Sequence, residues 1–88
     1  MEKITVKLTN PEGLHARPAA LFVQAANKYS SDLELEANGK IVNGKSIIGI
    51  MSLGAFQGED ITMTAKGHDQ KEMLEELKKL LEGGFNTI

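Results

Sequence analysis

Cysteine does not occur in this sequence. That excludes disulfides, a thiol nucleophile and any zinc site built on thiolates. A secreted domain this small is usually stapled by disulfides, so a cytoplasmic location is expected. Tryptophan is absent too, and the four other aromatics, Phe22, Tyr29, Phe56 and Phe85, are scattered along the chain. They are too dispersed to form a stacking platform for single-stranded nucleic acid. There is no cationic excess: the formal net charge is −2 and the pI about 5.6, which argues against a general nucleic-acid binder. No apolar run approaches membrane-spanning length, so membrane insertion is not expected. Glu2, Lys3, Thr5 and Lys7 break up the first residues, which therefore do not read as a signal peptide. The only histidines, His15 and His68, are far apart. No metal site is expected from them, and no cofactor is implied.

What is present is a folded chain of 88 residues, too short to divide into two cores and so expected to form one domain over residues 1–88. Ile4, Val6 and Leu8 alternate with polar residues over 2–9, the pattern of a half-buried strand. Asn10-Pro11-Glu12-Gly13 is a turn. Residues 16–28 carry Ala19, Phe22, Val23 and Ala26 at helical spacing. Pro18 belongs in a first turn and biases the residue before it away from helix, which puts the boundary near Arg17. Leu33, Leu35 and Ala37 alternate into Asn38-Gly39, a strong hairpin signal that sets Val42 opposite Leu35 on a return strand. Ser46 reads as an N-cap for a short helix from Ile47 to about Leu53, with Gly54 to end it. Ile61, Met63 and Ala65 mark a fourth strand. Asp69 with Glu72 forms a capping-box-like start to a last amphipathic helix, closed by Gly83-Gly84. Its carboxylates Glu72, Glu75, Glu76 and Glu82 interleave with Lys71, Lys78 and Lys79, as on a solvated face with pairs along the helix. One dry and one wet sheet face make the fold class a two-layer α+β sandwich.

Two places could carry chemistry. His15 stands where a glycine-containing loop meets a helix, in Gly13-Leu14-His15-Ala16-Arg17-Pro18-Ala19. The first amides of a helix lack backbone partners, and the helix dipole adds partial positive charge there, so an anion such as phosphate is favoured. A neutral imidazole at that point can attack phosphorus. Ala16 and Gly13 shape the helix start, with Gly13 letting the backbone come close to a partner, and the Arg17 guanidinium can pair with phosphate oxygens. A histidine acting as an imperfect helix cap is the alternative. His68, beside Gly67, reads as an exposed turn residue. Ser46 is either a plain cap or a phosphorylation site, where a phosphate would sit well on a helix N-terminus. The segment from Ile47 to Leu53 is apolar on nearly every side, so Ile47, Ile48 and Met51 either form an exposed docking patch or lie under the loop around residues 55–58.

The seven residues around His15 and the stretch Lys45-Ser46-Ile47-Ile48-Gly49-Ile50-Met51-Ser52-Leu53-Gly54, at their spacing in a chain of this length, resemble the HPr family, the histidine-containing phosphocarriers of the bacterial phosphoenolpyruvate-dependent sugar phosphotransferase system. The resemblance covers nearly the whole chain. It implies an open-faced β-sandwich with a four-stranded antiparallel sheet, order 1-4-2-3, and three helices on one face. It implies that His15 takes phosphate at Nδ1 from phosphorylated Enzyme I and passes it to the A domains of sugar-specific Enzyme II proteins, with Arg17 assisting. Such a chain is a carrier and not an enzyme. It implies that Ser46 is the target of HPr kinase/phosphorylase, that the modification slows transfer and promotes binding to a catabolite-control transcription regulator, and that Ile47, Ile48 and Met51 form the shared docking face. A monomer is expected for such a shuttle. Glu12 departs from the family pattern, which usually has a small or neutral residue there, and the tail from Phe85 to Ile88 matches nothing assignable. A binding module that acts through Ser46 without transferring phosphate is the competing class of function.

Overall fold

The alternating segments become four strands and the helical stripes three helices. A computed structural model describes residues 1–85, so most of the unassigned tail, residues 86–88, lies outside the described residues. In chain order the elements are β1 (Glu2–Lys7), α1 (Ala16–Ala26), β2 (Asp32–Ala37), β3 (Lys40–Asn43), α2 (Ile47–Ser52), β4 (Asp60–Lys66) and α3 (Gln70–Glu82). The sheet is antiparallel throughout, in the order β1-β4-β2-β3, as the resemblance implied. Val6, Leu33, Leu35, Ala37, Ile61, Met63 and Ala65 point into the core. Lys3, Thr5, Lys7 and Glu34, on the opposite parity, face solvent. The helices cover the inner face alone. They contribute Ala19, Phe22, Ala25 and Ala26 from α1, Ile50 from α2, and Met73, Leu74, Leu77 and Leu81 from α3.

The local signals behave as their chemistry requires. Asn38 and Gly39 both have positive φ (55° and 74°), as a two-residue hairpin turn demands, and Leu35 lies opposite Val42. β1 ends two residues earlier than expected. Leu8 nevertheless keeps the pairing going outside the strand: its N–H donates to the Glu59 carbonyl (2.8 Å) and its carbonyl accepts from the Gly58 N–H (2.7 Å). α1 ends at Ala26 rather than 28, where Asn27 caps it.

Two expectations for α3 are corrected. Asp69 occupies the N-cap position, but its carboxylate makes no cap hydrogen bond. It is used across the molecule instead, accepting from the Ser30 N–H (2.9 Å), the Ser31 N–H (3.0 Å) and the Ser31 hydroxyl. Those donors, the Ser31 hydroxyl first, hold the Asp69 carboxyl down at about 2. The second correction concerns the pairing of charges. Among the described residues none of the α3 carboxylates pairs with a lysine of its own helix; Glu76 accepts from Lys28 Nζ (2.7 Å) and from the Tyr29 hydroxyl (2.6 Å). These two hydrogen bonds, that of Lys28 the larger, lower the Glu76 carboxyl. The same contact pushes Tyr29 up to about 12. Both carboxylates thereby fasten the segment that follows α1, residues 28–31, to α3 and its N-cap.

Candidate functional site

The loop before α1 is built around a buried amide. Asn10 is almost fully enclosed, and its Nδ2 donates to the Gly13 carbonyl (2.9 Å) and to Glu12 Oε1 (3.3 Å). The Gly13 N–H donates back to the Asn10 carbonyl (3.2 Å), closing a tight turn. Glu12, the residue that departs from the family pattern, thus has its carboxylate tied back to Asn10. Next, the Leu14 N–H donates to the Ala55 carbonyl (3.1 Å), which fixes the loop to the segment between α2 and β4. Gly13 is buried with φ +68°, and a Cβ there would collide with that same Ala55 carbonyl oxygen. The close approach expected of Gly13 toward a partner is therefore an approach to the chain's own backbone. The role of Asn10 was not read from the sequence; an Asn ahead of Pro-Glu-Gly, able to bond its own turn, is the signal that could have found it.

His15 follows in extended conformation (φ −126°, ψ 160°) as the N-cap of α1, half-buried, and its side chain makes no cap hydrogen bond. The imidazole is therefore not consumed in capping. Ala16, the first residue of α1, is exposed and has φ +46°. No later residue of α1 has positive φ, so regular helical backbone starts at Arg17, the boundary that Pro18 suggested. A left-handed alanine costs about 1–2 kcal/mol. No acidic residue stands in the first turn to neutralise the positive helix end, and Arg17 is exposed on that turn. The arrangement suits an anion beside the imidazole.

Ser46 caps α2, its Oγ accepting from the Gly49 N–H at 3.1 Å. Ile50 is the buried residue of α2, whereas Ile47, Ile48 and Met51 remain 41%, 79% and 44% exposed. Of the two readings for this apolar segment, the structure has the exposed one, since the following loop does not cover these side chains. Phe56 in that loop is itself 62% exposed, and its ring stands 5.7 Å from the His15 imidazole, centroid to centroid, at a tilt of 45°. Sequence reasoning counted Phe56 only as a scattered aromatic; an aromatic ring in a short loop bounded by Gly54 and Gly58 was the available signal. His68 is exposed, as expected, with Nδ1 at 3.4 Å from Ser30 Oγ. Among the described residues no three His, Asp or Glu side chains are grouped to hold a metal ion, and no helix is long and apolar enough to cross a membrane.

The family model described as the PTS HPr component phosphorylation site matches residues 2–83. The HPr-like protein Crh of Bacillus subtilis is 53% identical over 76 residues, covering 86% of this chain and 87% of Crh. The phosphocarrier protein HPr of Buchnera aphidicola is 47% identical over 76 residues, covering 86% of this chain and 89% of its own. Among solved structures, HPr-C-His from Thermoanaerobacter tengcongensis superposes with a TM-score of 0.95 at 48% identity, covering 100% of this chain and 99% of that one. An HPr dimer from the same organism matches with a TM-score of 0.78, covering 99% of this chain and 100% of that one.

Proposed function

Because the chain belongs to the HPr family of phosphocarriers of the sugar phosphotransferase system, we propose that it takes a phosphoryl group on His15 from phosphorylated Enzyme I and passes it to the A domains of sugar-specific Enzyme II proteins. The observation that carries this reading is His15 at the N-cap of α1 with its ring left out of the cap hydrogen bonding. The Nδ1 lone pair attacks phosphorus as the bond from phosphorus to the donor breaks, leaving that electron pair on the donor. The same exchange, run with the roles reversed, unloads the phosphate. Positioning and charge stabilisation supply most of what phosphoryl transfer needs. Here they come from the helix N-terminus at Ala16 and from the Arg17 guanidinium, with Ile47, Ile48 and Met51 as the surface on which donor and acceptor dock.

Ser46 supports a regulatory role in the same protein. It caps α2 immediately before the exposed apolar side chains. A phosphate placed there by HPr kinase/phosphorylase adds up to about two negative charges at the edge of that surface. The modification slows loading by Enzyme I and promotes binding to a catabolite-control transcription regulator. The relative Crh is named in a solved structure as a catabolite repression protein, which agrees in kind. The carrier works as a monomer in the cytoplasm. The test is incubation with Enzyme I and phosphoenolpyruvate: acid-labile, alkali-stable phosphate accumulates on the wild type and none on His15→Ala. A wild type that stays unlabelled refutes the carrier reading. Sedimentation of a dimer at working concentration refutes the monomer.

A further inference from the structure

We propose that Phe56 is a positioning residue for phosphoryl transfer, holding the His15 imidazole in one orientation through direct ring contact; this rests on the carrier reading given above. Three observations carry it. First, Phe56 contributes little to the core: its ring is 62% exposed, at the tip of the loop between Gly54 and Gly58. Its aromatic neighbour is His15, at 5.7 Å and 45°, a tilted geometry within the range in which aromatic pairs attract.

Second, the backbone that presents Phe56 is fixed in place. The Phe56 N–H donates to Glu59 Oε1 (2.5 Å), and the Glu59 N–H donates to the Phe56 carbonyl (3.2 Å), so the turn is closed from both ends. The neighbouring Ala55 is fully buried, and its carbonyl accepts from the Leu14 N–H, one residue before His15. The two rings thus ride on segments that are stitched together next to each of them.

Third, His15 needs such a contact. Its side chain has no cap hydrogen bond to set its rotamer. A nucleophile that must meet phosphorus in line loses rate for every orientation it samples in vain. A ring against one side of the imidazole narrows that sampling without occupying either ring nitrogen, which a hydrogen bond would do. Losing an aromatic contact of this kind lowers the population of the held orientation about two- to tenfold.

The experiment compares Phe56→Leu, which keeps apolar bulk without a ring, with Phe56→Tyr, which keeps the ring. In the unphosphorylated proteins, NMR of the His15 ring protons reads the contact directly. The ring-current displacement present in the wild type persists in Phe56→Tyr and disappears in Phe56→Leu. With Enzyme I and phosphoenolpyruvate, and this chain as the varied substrate, Phe56→Leu lowers kcat about two- to tenfold with KM little changed, and Phe56→Tyr restores it. An unchanged kcat in Phe56→Leu, a loss confined to KM, or His15 proton shifts that ignore the substitution would overturn the positioning role. A wild type that takes no phosphate refutes the carrier reading instead, while the ring-proton shifts still report whether the contact exists.

Discussion

Replacing Gly13 with alanine separates two costs that usually arrive together. Gly13 (φ +68°) and Gly39 (φ +74°) both sit in the left-handed region, but around Gly39 nothing lies within 4 Å of an added Cβ. At Gly13 the added carbon runs into the Ala55 carbonyl oxygen. That oxygen cannot retreat cheaply, because it accepts the Leu14 N–H. A left-handed alanine costs about 1–2 kcal/mol, offset by about 0.4–1 kcal/mol from a stiffer unfolded chain. Gly39→Ala should therefore destabilise by about 0–1.6 kcal/mol. Gly13→Ala carries the same amount plus an overpacking cost of about 1–3 kcal/mol. Urea unfolding of the two variants and the wild type measures the difference. In heat, each further 1 kcal/mol is expected to lower Tm by about 4–8 °C for a chain of this size. Stabilities of the two variants within about 0.5 kcal/mol of each other, the ordinary scatter of surface substitutions, would refute the claim that Gly13 is required by the approach of Ala55.

Asp69 predicts a pH dependence with a definite sign. Its folded pKa of about 2 lies below the ordinary 3.8, so its stabilisation is fully present above about pH 4 and is lost as pH falls through about 2. Asp69→Asn should melt well below the wild type at pH 6, with the gap closing in strong acid; a gap that stays constant down to pH 2 contradicts the assignment. Ser46→Ala removes the acceptor for the Gly49 N–H and should cost about 1 kcal/mol in urea unfolding. Ser46→Asp restores an acceptor at that cap with a charge that suits the helix end, so it should be more stable than Ser46→Ala, and an alanine variant as stable as the wild type would remove the cap from the account. In the Enzyme I assay, Ile48→Ser should raise KM for this chain several-fold and leave kcat unchanged, since Ile48 is the most exposed of the three patch residues; an unaltered KM removes it from the docking face.

What could be read in advance was what is local. Alternation over Leu33, Leu35 and Ala37 needs nothing beyond its own strand, and Asn38-Gly39 encodes its turn within two residues. His15 and Ser46 stood out because each marks a helix start, and the resemblance turned those starts into roles. The misses share a physical cause. Asp69 was read as a cap because its own helix begins there, but its donors come from Ser30 and Ser31, 39 and 38 residues away. Glu76 was read with neighbouring lysines, but its partners are on the far side of a helix–helix contact, Tyr29 being 47 residues distant. Gly13 was read as facing a partner, and Phe56 went unread, for the same reason: what each residue meets lies in the other's loop. A carboxylate or a glycine carries no mark in the sequence of which distant group it will meet.

The late strand β4 lies between β1 and β2, both of which precede it. During synthesis, a chain that has emerged only as far as Leu53 holds the histidine yet lacks Ala55 to anchor Leu14, and lacks the strand that joins β1 to the rest of the sheet. Unfinished or truncated products therefore lack the contacts that hold the loop around His15 against the rest of the fold. The loop that presents His15 is anchored only in a chain long enough to include the Ala55 segment and β4.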